Sequence, residues 1–183
     1  MPTIRNEPPC QLPQWSAQLE TKGGLKLNVR PASQDDEAEL IDFLGRASPE
    51  DLRYRFLSAV GKPGHSLVQP LVEVDHERTE NLLAFDDRDG RLVATAMVAA
   101  DDRLEDAEVA VMVRPDLKGQ GAGWSMLAHS CVYAKQRGYR RIHSVELADN
   151  QSAIGLEKEM GFTASACPGD PTLTMLSKDL DQD

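Results

Sequence analysis

Residues 108–138 read as a strand that runs into a long helix through a glycine-rich turn, and this junction commits the chain to a layered α/β architecture. Val109, Val111 and Val113 fall on one face of the strand, and Glu108, Ala110 and Met112 on the other. Beyond the turn, Met126, Leu127, Ser130, Cys131 and Ala134 recur at helical spacing, and Gly138 suits a C-terminal cap. The connection from Val113 to Gly123 reads VRPDLKGQGAG. Gly119, Gly121 and Gly123 remove side chains that would hold a ligand away, and the first helical turn leaves backbone N–H groups unpaired. Those donors, with the positive end of the helix dipole, suit a diphosphate.

The rest of the chain supplies the other elements of such a domain. Leu25, Leu27 and Val29 alternate with Lys26, Asn28 and Arg30, a half-buried strand that Pro31 ends. Ser33 or Asp35 caps a helix over Asp36 to Arg46, with Leu40, Ile41, Phe43 and Leu44 as its apolar stripe. Ser48 at the N-cap, Pro49 at the first helical position and Asp51 at the third open a short helix reaching Phe56 or Leu57. Residues 66–74 read as a further short helix despite Pro70. Two apolar runs, Asn81 to Phe85 and Arg91 to Ala100, flank a polar turn ending in Asp89 and Gly90, the pattern of an antiparallel hairpin. Arg141 to Leu147 is another strand, Asn150 begins a helix that Gly161 ends, and residues 162–166 and 172–177 are closing strands. Residues 1–23 carry prolines and glycines among polar residues and read as an extended arm docked through Trp15, ahead of a single domain over 24–180.

Charge and cysteine usage narrow the partners. Lys plus Arg total 20 against 30 Asp plus Glu, a net charge of -10 that repels nucleic acid and anionic membranes and favours a basic partner. Cys10, Cys131 and Cys167 are scattered and form no Cys-x-x-Cys pair, so neither a disulfide framework nor a zinc site is expected. His65, His76, His129 and His143 show no metal spacing either. The N-terminal residues lack the apolar stretch of a secretory signal, and no apolar run is long enough to span a bilayer. A cytoplasmic protein is expected.

Two familiar nucleotide loops do not fit. A Walker loop needs a lysine and a hydroxyl residue directly after its last glycine, where this chain has Trp124 and Ser125, and a dinucleotide fingerprint needs a third glycine where Trp124 stands. The stretch from about Glu108 to Phe162 instead resembles the GNAT superfamily of N-acyltransferases. That family's acyl-CoA loop reads Gln/Arg-x-x-Gly-x-Gly/Ala, matched here by Lys118, Gly121 and Gly123, with lysine the one departure. A lysine keeps a cation beside the expected diphosphate but lacks the forked geometry of arginine. Asn150 and the Gly161-Phe162 pair are similar to the family's second CoA-binding segment. Upstream, Ser48 to Phe56 and Glu108 to Val113 resemble the GNAT domain of Pat-type bacterial protein lysine acetyltransferases. The resemblance implies a single GNAT domain with a mixed, mostly antiparallel, twisted sheet of about six to seven strands and about four flanking helices. It also implies acetyl-CoA as acyl donor, a lysine-bearing protein as acceptor, and a coenzyme site formed by Val111, Met112, Val113, Lys118, Gly119, Gln120, Gly121, Ala122, Gly123, Trp124 and Asn150.

An amine attacks a thioester only after losing its proton, and a lysine ammonium with a pKa of about 10.4 is mostly protonated at neutral pH. Glu108 is the candidate proton acceptor, acting directly or through a water, and the resemblance gives a glutamate at this strand position the same role. The competing reading is an ordinary solvent-facing strand glutamate. Amides of the coenzyme arm can pair with the backbone of Val111 to Val113 if that strand edge is open, which sequence does not show. Asn150 either bonds the coenzyme arm or caps its helix, two compatible roles. Many superfamily members carry a tyrosine seven residues after this asparagine to protonate the departing thiolate; Glu157 stands there, which leaves the general acid unassigned. Cys131 reads as packing rather than as a nucleophile, favouring direct attack in a ternary complex. The rival functions are a small-amine or polyamine acetyltransferase and an acyl-CoA-sensing module without turnover.

Overall fold

The computed structural model describes residues 15–180, so most of the expected N-terminal arm, Cys10 included, lies outside the described residues. The strands are β1 (Ala17–Glu20), β2 (Lys26–Pro31), β3 (Thr79–Asp86), β4 (Leu92–Ala100), β5 (Asp106–Val113), β6 (Arg141–Leu147), β7 (Thr163–Ala166) and β8 (Leu173–Asp179). They form one sheet in the order β1-β2-β3-β4-β5-β6-β8-β7. Every neighbouring pair is antiparallel except β5 and β6, which run parallel. The helices are α1 (Glu37–Gly45), α2 (Pro49–Phe56), α3 (His65–Val72), α4 (Ala122–Gln136) and α5 (Gln151–Glu159), with short 3-10 turns at Gln34–Asp36 and Pro115–Leu117. None of these helices is long and apolar enough to cross a membrane.

This is the α/β class and the mixed, mostly antiparallel sheet that the sequence implies, with eight strands rather than six or seven and five helices rather than four. The additional strand is β1, inside the segment read as an arm. Only Leu19 in it is large and apolar, so nothing local marks a strand; pairing with β2, from Ala17 opposite Val29 to Glu20 opposite Lys26, makes it one. The fifth helix is α3, which keeps Pro70 in its second turn. Gly90 closes the β3–β4 hairpin at φ +70, as its Asp-Gly turn requires.

Both faces of the sheet are covered, which is why β3 and β4 read as unbroken apolar runs. Leu82 of β3 packs with Met126 of α4 on one face, while its neighbour Leu83 packs with Leu40 of α1 and Val68 of α3 on the other. The β5 residues obey the same alternation. Val109 and Val111 pack with Leu127 and Ile154, on the side of α4 and α5, and Met112 packs with Leu52 of α2 on the opposite side. Met126 and Leu127, fully buried, each contribute about 1.5–3 kcal/mol of burial free energy, so α4 is held by packing and not by propensity.

The link from β2 to α1 is fixed by charge. Asp36 accepts from the Arg30 guanidinium at 2.6 and 2.8 Å and from the Ser33 backbone N–H at 2.8 Å. Burial alone would raise the Asp36 pKa, but the Arg30 hydrogen bonds and the Ser33 amide overcome it and hold the carboxyl below its ordinary range. Asp36→Asn is expected to lower stability at pH 7 by about 1–2 kcal/mol, discounted for the partial exposure of Arg30. Because the folded-state pKa is depressed, this stabilisation is present at neutral pH and is lost as pH falls through that value. Urea midpoints of the wild type and the variant should therefore converge in acid; a constant gap between them would contradict this account.

Candidate active site

β5 and β6 pair over only three residues, Asp106 with Arg141, Ala107 with Ile142 and Glu108 with His143. Beyond that last rung β6 continues its pairing with β8 as far as Leu147, and β5 its pairing with β4 as far as Val113, so the two strands diverge. The edge of β5 that carries Val111, Met112 and Val113 is thus open toward β6, leaving backbone groups free for an extended ligand. The glycine loop stands at the wide end of this opening, directly after β5.

Gly119 and Gly121 adopt left-handed conformations, φ +77 and +88, and Gly121 is the N-cap of α4. The Ser125 N–H donates to the Gly121 carbonyl at 3.0 Å, the first bond of the helix, so the N–H groups of Ala122, Gly123 and Trp124 have no intrahelical acceptor. A Cβ on Gly123 would lie 3.5 Å from Val113 Cγ2 and 3.6 Å from Leu156 Cδ1, so the start of α4 is wedged between β5 and α5. The turn between β1 and β2 buttresses the loop. A Cβ on Gly23 would come within 2.8 Å of the Gln120 carbonyl oxygen, and Lys22 Nζ sits 4.3 Å from the centre of the Trp124 ring.

Lys118 forms an ion pair with Asp51, the N3 residue of the α2 capping box. Burial would raise the Asp51 pKa, but Lys118 and Ser48 outweigh it and hold the carboxyl low. At its other end Arg53 pairs with Asp149, in the turn after β6, at 2.7 Å. α2 is therefore tied to both sides of the opening. Arg55, from the same helix, reaches Met97 Sδ at 3.7 Å. Burial pushes its pKa down, and the charges of Glu108 and Glu146 act against that. Arg55 stands on the α2 side of the rung where the strands part.

Glu108 occupies that rung on the α2 side, half-exposed, with its Oε2 3.8 Å from His143 Nε2. Asn150 caps α5, accepting from the Ala153 N–H at 3.5 Å, and its amide donates to Glu146 Oε2 at 2.7 Å. Of the candidate residues, the structure brings Val111 to Val113, the glycine loop and Glu108 to one opening, and places Asn150 at the far side of it as a cap.

Sequence reasoning passed over Glu146 and treated Glu157 only as a substitution. Glu157 is buried and Glu146 is half-buried. Ser144 Oγ donates to Glu157 Oε2, and Glu157 is 5% exposed. Burial first, then the facing Glu157 charge, raises the Glu146 carboxyl to about 8, and burial raises Glu157 despite its hydrogen bonds to Ser144 and Glu146. The two titrate as a pair. The available signal was the alternation of β6, in which Ser144 and Glu146 share the inward face of Ile142. Cys131 is half-buried, and burial pushes its thiol up to about 11. Among the described residues no group of three or more histidine, cysteine, aspartate or glutamate side chains is arranged to hold a metal ion.

A family model described as the acetyltransferase (GNAT) family matches residues 49–162. A Pseudomonas aeruginosa protein named as an acetyltransferase is 27% identical over 160 residues, covering 86% of this chain and 85% of its own length. The crystal structure of the GNAT domain of S. lividans PAT is similar with a TM-score of 0.83 at 25% identity, over 94% of this chain and 99% of that one. A spermidine N-acetyltransferase from Vibrio cholerae, in complex with CoA and spermine, has a TM-score of 0.71 at 13% identity over 85% and 96% of the two chains, a likeness of fold.

Proposed function

The chain belongs to the GNAT acetyltransferase family and is an acyltransferase that uses acetyl-CoA as donor, and from that premise we propose that it acetylates lysine side chains of proteins by direct attack in a ternary complex. The carrying observation is the three-rung pairing of β5 and β6, which leaves an open strand edge between the glycine loop and Glu108. In this reading the amides of Gly119 to Trp124 hold the diphosphate of the coenzyme, beside a Lys118 ammonium that is paired with Asp51. The pantetheine arm lies along Val111 to Val113 and points its thioester at the rung of Glu108. A backbone N–H of that open edge stabilises the oxyanion of the tetrahedral intermediate.

Glu108 takes the proton from the attacking amine, directly or through a water. Its partial exposure suits a group that must meet an incoming substrate. Cys131, held as a thiol by burial, offers no competing covalent route. A protein lysine as acceptor is supported by the net charge of -10, which draws a basic partner, and by the likeness to the S. lividans domain along nearly the whole chain.

Given acetyl-CoA and a panel of acceptors, the protein is expected to acetylate lysine-bearing proteins with a kcat/KM about tenfold or more above that for spermidine or spermine. Preference for the free polyamines would replace the protein-lysine reading with a small-amine one. Binding of acetyl-CoA without transfer to any amine would remove turnover itself.

A further inference from the structure

The turn between β1 and β2 brings a cation to the glycine loop from outside residues 49–162, the stretch matched to the family. The turn is tight. The Thr21 N–H donates to the Leu25 carbonyl at 2.9 Å, the Gly24 N–H to the Thr21 carbonyl at 2.9 Å, and the Leu25 N–H to Thr21 Oγ1 at 3.1 Å. Its tip is pressed against the loop. A Cβ on Gly23 would lie 2.8 Å from the Gln120 carbonyl oxygen, and one on Gly121 would lie 3.3 Å from the Lys22 backbone nitrogen and 3.8 Å from Lys22 Cβ. The Lys22 side chain thus starts beside Gly121 and runs to Trp124, with Nζ 4.3 Å from the ring centre. Gly121 is the N-cap of α4, and Trp124 carries the last of the N–H groups that lack an intrahelical acceptor. Of the cations on or against this loop, Arg114 is paired with Asp116 at 2.8 Å and Lys118 with Asp51. Lys22 is exposed, and among the described residues its ammonium has no carboxylate partner and donates no hydrogen bond.

We propose that Lys22 binds a phosphate group of coenzyme A, the role at this loop that Lys118 gives up by pairing with Asp51. The inference rests on the coenzyme site of the reading above and adds to it a residue from a separate segment of the chain. A paired ammonium offers an anion little, because its carboxylate stays close and repels the phosphate. An unpaired one gives a charge-assisted hydrogen bond, stronger than that of a neutral amide. Trp124 accounts for a long side chain resting at this place. Its ring face holds the ammonium by cation–π attraction, so phosphate binding orders a lysine already gathered at the loop and not one drawn from solvent. In a chain of net charge -10, a local cation also offsets the general repulsion of a polyanionic ligand. Coenzyme A carries this chemistry in its diphosphate and in its ribose 3′-phosphate.

Lys22→Met keeps the aliphatic stem across Trp124 and removes the charge. By calorimetry it is expected to weaken CoA binding about tenfold or more and to flatten the dependence of affinity on salt, with Lys22→Arg restoring both to within about threefold of wild type. A lysine that only braced the turn would lower the thermal midpoint on substitution and leave the salt dependence as it was. Removing the other ion pair as a whole, Lys118→Met together with Asp51→Asn, leaves the net charge beside the loop unchanged and is expected to cost less affinity than Lys22→Met. Dephospho-CoA, which lacks the 3′-phosphate, identifies the contact. An equal loss for both ligands puts Lys22 on the diphosphate, a loss confined to CoA puts it on the 3′-phosphate, and either supports the proposal. Wild-type affinity and salt dependence in Lys22→Met, or a larger loss from the double variant, overturns it. If Lys22→Met has no cooperative thermal transition, Lys22→Gln is read in its place against the same outcomes. A folded wild type that binds no CoA removes the coenzyme reading along with it, whereas tight wild-type binding that Lys22→Met leaves unmoved removes this proposal alone.

Discussion

Replacing Glu108 with glutamine is expected to lower kcat for acetyl transfer by about 10²–10⁴-fold while leaving acetyl-CoA affinity close to that of the wild type. The argument is positional. Glu108 lies on the last paired rung of β5 and β6, so it meets the acyl end of a ligand lying along the open edge and not the phosphates at the glycine loop. Glutamine preserves the side-chain volume and can still face His143, but it cannot accept a proton from an ammonium whose pKa is about 10.4. The loss should therefore appear in kcat and should shrink at high pH, where a larger share of the acceptor amine is already neutral. Thiol release followed continuously, with calorimetry of acetyl-CoA binding beside it, separates the two quantities. A variant that binds acetyl-CoA normally and turns over at the wild-type rate would remove Glu108 as the base.

Gly121→Val is expected to weaken acetyl-CoA binding by about tenfold or more without unfolding the protein. Gly121 has φ +88, a region that costs an L-residue about 1–2 kcal/mol and is worse for a β-branched one. Space is also short, since a Cβ there would sit 3.3 Å from the Lys22 backbone nitrogen and 3.3 Å from Thr21 Cβ. The strain relaxes by shifting the N-cap of α4, which displaces the unpaired N–H groups of Ala122 to Trp124 that make the phosphate site. Gly119→Ala is the internal control. Its φ of +77 carries a backbone cost, but nothing lies within 4 Å of its Cβ, so its effect should be the smaller of the two. Unchanged affinity in Gly121→Val would place the diphosphate elsewhere.

Most of the elements were legible because their signals are local. The period-two alternation of β2, the capping box of Ser48 and Asp51, the Asp-Gly turn at Gly90 and the helical spacing of α4 each depend on residues within one or two turns of one another. β1 was not legible, because four residues with one large apolar side chain become a strand only by pairing with β2. Lys118 could be placed in the glycine loop from sequence, but its engagement with Asp51 joins residues far apart in the chain. The Glu146–Glu157 pair was hidden for a related reason. Burial decides whether a carboxylate is an ion or an acid, and β6 and α5 bury these two only once they pack together.

The sequence by itself determined the α/β class, the strand–loop–helix that offers a phosphate its amides, and Glu108 at the start of that strand. These follow from backbone geometry and periodicity, which short-range residue order controls. Only the tertiary structure decided that β5 and β6 part after three rungs, that α2 is tied to both sides of the opening, and that Glu146 and Glu157 meet behind it. Strand divergence and shared burial are properties of segments brought together from distant parts of the chain, and no local pattern encodes them.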